Sequence, residues 1–249
     1  MRKVVLYLLF FSSLLFSKEY AFIVTIGDYC HINNLKGANQ DNKIYRKILK
    51  KWNIKNVVSL KNEEATKKNI LHHLALFAKK IKKNDTFYMF FSGHGSSLYD
   101  EAYSLQFQEA GLTSLLRESG VIFPYDFNPK HIKSSIIIGK RDLKPYLKVI
   151  DKKIKKGIIV FDACYSEQSI RSNRQKVFYH TANILTQSDG YPYQNITYIA
   201  SSITQAKSGK FSSILNKCLK KETIINKLKY CISRKIGKSF QIPIVLSNQ

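Results

Sequence analysis

Short apolar runs alternate along this chain with stretches whose apolar residues recur every three or four positions. Residues 20–26, 87–91 and 158–161 are β-branched or aromatic almost throughout and do not alternate with polar positions. Runs of that length and kind predict strands buried on both faces. Residues 56–60, 196–200 and 242–246 add three further strands. Between them, residues 36–52 carry Ala38, Ile44, Tyr45, Ile48 and Leu49 at near-helical spacing, and residues 66–81 carry Ile70, Leu71, Leu74, Phe77, Ala78 and Ile81 on one face. Helices are also predicted over 140–153, with Pro145 in the first turn, and over 211–219 and 223–236. Residues 96–139 hold Pro124, Pro129 and several glycines, which predicts loops and a small hairpin, and a long polar loop precedes residue 194. Strands alternating with helices predict an α/β fold, a mostly parallel sheet with helices on both faces.

Two of the buried runs end in reactive side chains. Phe87-Tyr88-Met89-Phe90-Phe91 leads into Ser92-Gly93-His94-Gly95, and Ile158-Ile159-Val160-Phe161 leads into Asp162-Ala163-Cys164-Tyr165-Ser166. In an open α/β sheet, ligands bind outside the carboxyl ends of the strands, so both motifs are predicted at the edge where chemistry occurs. A cysteine beside an imidazole can be deprotonated to the nucleophilic thiolate, and the imidazole can then protonate the leaving amine. The glycines flanking His94 are expected to let the chain turn sharply off its strand and to admit a substrate close to the backbone.

The 249 residues suffice for one α/β domain with its own core. Met1-Arg2-Lys3 followed by the apolar residues 4–16 reads as a Sec-type signal peptide over residues 1–17. The domain of residues 18–249 is then expected to be periplasmic or secreted, with no membrane span after cleavage. The alternative is an uncleaved anchor. The formal net charge is +24, or +22 without Arg2 and Lys3. Its lysines are spread over the whole chain, as in Lys50-Lys51, Lys82-Lys83 and Lys220-Lys221, which argues against a dedicated nucleic-acid surface. The four cysteines, Cys30, Cys164, Cys218 and Cys231, lack the paired spacing of a zinc site, and no metal or other cofactor is expected. Cys218 and Cys231 could pair in an oxidising compartment, whereas a nucleophilic Cys164 must stay free.

With both motifs placed on strand ends, the chain resembles a caspase-type cysteine peptidase, closer to the metacaspases and their bacterial relatives than to animal caspases. The resemblance rests on Gly27-Asp28-Tyr29, Leu35-Lys36-Gly37-Ala38-Asn39-Gln40-Asp41, Ser92-Gly93-His94-Gly95, Phe123-Pro124-Tyr125-Asp126, Asp162-Ala163-Cys164-Tyr165-Ser166, Ala200-Ser201-Ser202, Gly209-Lys210-Phe211-Ser212 and Gln241-Ile242-Pro243, taken in that order. It implies a caspase-like three-layer sandwich and a Cys164–His94 dyad, with an oxyanion hole from the backbone of Gly95 and Cys164. It also carries Asp41 and Asp162, with Ser92 nearby, onto the pocket for the residue preceding the cut. Two carboxylates in a narrow pocket attract a cation, so protein or peptide substrates with Arg or Lys at P1 are expected. Animal caspases place an arginine two positions before the glycine equivalent to Gly37; Leu35 stands there, against aspartate specificity. Relatives commonly have glycine where this chain has Glu167, which bears on rate and fine specificity. The basic loop with Arg171, Arg174 and Lys176 raises self-cleavage as a further expectation. Two other functions compete: an inactive caspase-fold module that binds a peptide or protein partner in the cell envelope, and an envelope-surface protein acting through its charge.

Overall fold

β1 (Glu19–Thr25) and β3 (Thr86–Ser96) pair in parallel from Glu19↔Thr86 to Thr25↔Ser92, inside the main sheet. The computed structural model describes residues 17–35, 37–98, 100–117, 119–164, 191–201, 210–222, 225–236 and 244–248. On one side of the pair lies β2 (Asn56–Lys61); on the other lie β6 (Lys156–Cys164), β7 (Ile196–Ala200) and β8 (Ile244–Leu246), giving the order β2-β1-β3-β6-β7-β8. Every pairing on this path is parallel except β7 with β8.

Side-chain parity explains the layers. Tyr20, Phe22 and Val24 of β1, Phe87, Met89 and Phe91 of β3, and Ile159 and Phe161 of β6 point into one core, while Ala21, Ile23, Tyr88, Phe90, Ile158 and Val160 point into the other. Both faces of the central strands are dry, which is why their sequences are continuous rather than alternating. The first core is roofed by α2 (Lys67–Lys80) and α6 (Lys144–Asp151). The second is roofed by α1 (Ala38–Lys51), α7 (Lys210–Cys218) and α8 (Ile225–Ile236). Thr66 caps α2 by accepting the Asn69 N–H at 3.2 Å, and Lys79 and Lys80 complement its carboxyl end. The predicted α/β architecture with helices on both faces is thus observed. The Cys218–Cys231 disulfide is formed, tying α7 to α8.

Three local expectations are corrected. The chain does not turn off its strand at His94: β3 runs on through Ser96, because Gly95 and Ser96 pair antiparallel with β4 (Val121–Ile122). Residues 96–139 are not mainly loop. They form α3 (Ser104–Glu109), α4 (Thr113–Arg117), α5 (Ile132–Ser135) and a strand pair of β4 with β5 (Ile137–Ile138), packed through Phe107, Leu116, Phe123, Phe127 and Ile137. The helix predicted over 140–153 divides into a π-helical segment at Gly139–Leu143 and α6, with Pro145 in the first turn of α6 as expected. The Asp142 carboxylate accepts the Ile138 N–H at 2.8 Å, which holds the wider turn against β5. The predicted signal peptide, apart from Ser17, lies outside the described residues, as do Glu167 and the basic loop of Arg171, Arg174 and Lys176.

Candidate active site

The carboxyl ends of β3 and β6 lie side by side in parallel register, with Ser92↔Asp162, Gly93↔Ala163 and His94↔Cys164 as successive partners. Adjacent strands run about 4.8 Å apart, so the two motifs share one edge of the sheet. Cys164 is the last residue of β6.

His94 is held by the loop that follows β1. Asn62, in a left-handed conformation with φ 47°, accepts the N–H groups of Gly27 at 2.9 Å and Asp28 at 3.3 Å and donates to the Asp28 carboxylate. Asn34 Oδ1 accepts the Tyr29 N–H at 2.8 Å. The loop so fixed presents two groups to His94. The Tyr29 hydroxyl accepts the His94 N–H at 2.6 Å, and the Tyr29 ring lies 4.9 Å from the imidazole. The Asn33 carbonyl lies 2.9 Å from His94 Nε2. A carbonyl can only accept, so this contact needs the proton on Nε2 and leaves the lone pair on Nδ1. Burial lowers the His94 pKa below its ordinary value, and the Asn33 carbonyl and the Asp100 charge only partly oppose that shift. The imidazole is therefore neutral and able to accept a proton at neutral pH.

Gly93 serves this packing rather than a turn. A Cβ on Gly93 would come within 2.7 Å of Tyr29 Oη and 3.0 Å of Phe91 Cζ, so only glycine leaves room for the tyrosine. Gly111 is the sole glycine with positive φ among the described residues. The His94 carbonyl accepts the Phe123 N–H at 3.0 Å, which makes Gly95 and Ile122 a non-hydrogen-bonded pair. The Gly95 N–H is consequently turned away from β4, towards the end of β6.

Below His94 and Cys164, on the face covered by α1 and α7, lies a buried polar cluster. Asp41 of α1 is wholly buried; the Ser92 hydroxyl donates to its Oδ2 at 2.7 Å and the Ser212 hydroxyl to its Oδ1 at 2.5 Å. Asp162 is buried as well, and among the described residues its Oδ2 has no hydrogen-bond partner, nor have the buried Tyr45 hydroxyl and Ser201 Oγ. Burial first, and the Asp41 charge second, push the Asp162 pKa up to about 8. Ser201 pulls the other way, although its hydroxyl does not reach hydrogen-bond geometry. Tyr45, stacked on Phe90 at 4.8 Å, is held neutral by its burial and by both carboxylates.

Asp41, Ser92 and Asp162, named from the sequence, are therefore brought together, and His94 stands beside Cys164. Both carboxylates are more deeply buried than a pocket lining implies. Sequence reasoning passed over Asn33, Tyr45 and Ser212, and gave Tyr29 no role of its own. Tyr29 and Ser212 stand in the motifs already quoted, which was the available signal, whereas a backbone carbonyl such as that of Asn33 leaves none. Among the described residues no cluster of three or more His, Cys, Asp or Glu side chains could hold a metal ion, and no helix is long and apolar enough to cross a membrane.

A parallel-centred α/β sandwich carrying a histidine and a cysteine on neighbouring strand ends defines a class of protein, and comparison places this chain within it. The caspase domain matches residues 18–237, and the chain belongs to that family, one of cysteine peptidases acting on protein substrates. Among solved structures, it resembles caspase-1 from Spodoptera frugiperda with a TM-score of 0.59 at 15% identity, over 93% of this chain and 86% of the other. It resembles a protein from Geobacter sulfurreducens with a TM-score of 0.58 at 16% identity, over 92% of each chain. No curated protein matches the sequence.

Proposed function

We propose that this chain is a cysteine endopeptidase in which Cys164 is the nucleophile, His94 the general base and acid, and Arg or Lys the preferred P1 residue. The observation that carries the reading is the register His94↔Cys164, two positions beyond Ser92↔Asp162. The neutral imidazole takes the thiol proton through Nδ1 while Nε2 stays on the Asn33 carbonyl. The thiolate attacks the scissile carbonyl, the N–H groups of Gly95 and Cys164 receive the oxyanion, and His94 returns the proton to the leaving amine. Water then hydrolyses the acyl-enzyme by the same proton route.

The basic P1 preference is supported by the paired carboxylates of Asp41 and Asp162, one of which has an oxygen still open to a donor. Activity outside the cytoplasm, in the periplasm or secreted, is supported by the apolar N-terminal stretch and by the Cys218–Cys231 disulfide, which persists in oxidising compartments. Purified residues 18–249 under mild reductant should hydrolyse Arg or Lys amides, and Cys164→Ala should abolish turnover. Equal turnover by that variant would remove the assigned nucleophile.

A further inference from the structure

Asp41 and Asp162 are buried together, yet their oxygens are treated unequally. Each oxygen of Asp41 accepts a hydroxyl, from Ser92 of β3 and from Ser212 of α7, whereas Asp162 Oδ2 has no partner among the described residues. Donors to a carboxylate favour its charged form, and a second anion buried beside it is disfavoured. The groups facing the pair are Tyr45 from α1, Ser92 from β3 with His94 one alternate position further along, Ser201 after β7 and Ser212 from α7. Asn42, next to Asp41, donates to Thr25 of β1 and accepts from Arg46. Among the described residues, burial, Asp41 and Ser201 set the titration of Asp162.

We propose that Ser212, acting with Ser92, is a positioning residue of the P1 subsite: the two hydroxyls fix Asp41 as the permanent anion, and a P1 cation completes Asp162 Oδ2 by displacing its proton to solvent. This rests on the basic-P1 reading above. The charges balance. The resting site holds one carboxylate and one carboxylic acid; the occupied site holds two carboxylates and one cation, so the buried net charge is unchanged while one proton passes to buffer. The unpartnered oxygen is then an acceptor awaiting the substrate. Ser212 matters because it decides which carboxylate keeps its charge when the site is empty.

The probe is agmatine, bound to the Cys164→Ala chain so that nothing is turned over. Calorimetry at pH 7 in two buffers of different ionisation enthalpy should count about one proton released per agmatine. Binding without proton exchange overturns the proposal, and this count is made with Ser212 intact, so it decides even where a Ser212 variant misfolds. In the active chain, Ser212→Ala should raise KM for an Arg amide about tenfold with kcat little changed. It should also move the midpoint of the KM–pH profile upward and leave a neutral-P1 amide within about twofold. Ser212→Thr should restore the profile. Equal losses on Arg and neutral substrates would show that Ser212 merely supports α7, overturning the proposal. An intact enzyme with no preference for Arg or Lys would instead fail the P1 reading itself, and the inference with it.

Discussion

His94 and Cys164 are register partners at the carboxyl ends of two adjacent parallel strands, and the Asn33 carbonyl beside His94 Nε2 determines which imidazole nitrogen keeps its lone pair. The contacts that hold this histidine are local enough to be perturbed one at a time.

Gly93→Ala tests the seat of His94. The added Cβ would lie 2.7 Å from Tyr29 Oη, a group that also accepts the His94 N–H and donates to the Phe123 carbonyl at 3.5 Å. The tyrosine can move only by giving up those bonds. Overpacking of this kind costs about 1–3 kcal/mol, and the displaced imidazole should lower kcat/KM by about tenfold or more for every P1 residue alike. Urea titration and amide kinetics measure the two effects. A variant with full activity would show that the Tyr29 contact does not position the base.

The two titrating groups of the proposed site predict different pH profiles for different substrates. His94 is depressed by burial, so a neutral-P1 amide should show an acid limb below the ordinary histidine value of 6.5. An Arg amide must also ionise Asp162, whose pKa is pushed up to about 8, so its kcat/KM should keep rising into that range. Coincident profiles for the two substrates would remove Asp162 from P1 recognition.

Asp162 also predicts how stability changes with pH. Its carboxyl keeps in the folded chain a proton that the unfolded chain surrenders near 3.8, so the folded state binds more protons between about 4 and 8. Stability from this group is therefore present at low pH and lost as pH rises through that window. The depressed His94 acts in the opposite sense, gaining stability as pH rises towards 6.5, and is common to wild type and variant. Asp162→Asn should remove the Asp162 contribution, leaving the variant more resistant to urea than the wild type at pH 8 and flattening the difference between pH 5 and pH 8. A wild type that gains on the Asn variant as pH rises would contradict the buried acid.

The disulfide between α7 and α8 closes a short loop, with a sequence separation of 13. A loop of this size stabilises by about 3 kcal/mol in the chain-entropy picture. Replacing Cys218 and Cys231 together by alanine should lower the unfolding free energy by about that amount, with the larger kinetic loss on Arg substrates because α7 carries Ser212. Denaturant unfolding under non-reducing conditions checks the first part and paired amide assays the second.

By itself the amino-acid sequence determined the strands of the main sheet, the helices that cover its two faces, and the placing of His94 and Cys164 at strand ends. Continuous apolar runs such as Phe87 to Phe91 can be satisfied only between two helical layers, and Ile70, Leu74 and Phe77 can share a core only on one helix face. Asp41, Ser92 and Asp162 were legible only through the resemblance of their motifs to those of caspase-type peptidases. Tertiary structure decided what those residues meet. The extension of β3 past His94 depends on β4, which supplies the partner that a lone glycine-rich segment lacks. Asp41 and Ser212 are 171 positions apart, and the histidine rests on a carbonyl whose residue type is irrelevant to the bond. Periodicity reports how a segment is buried. Only the packed sheet brings distant donors and acceptors to hydrogen-bonding distance, where charge and proton position are settled.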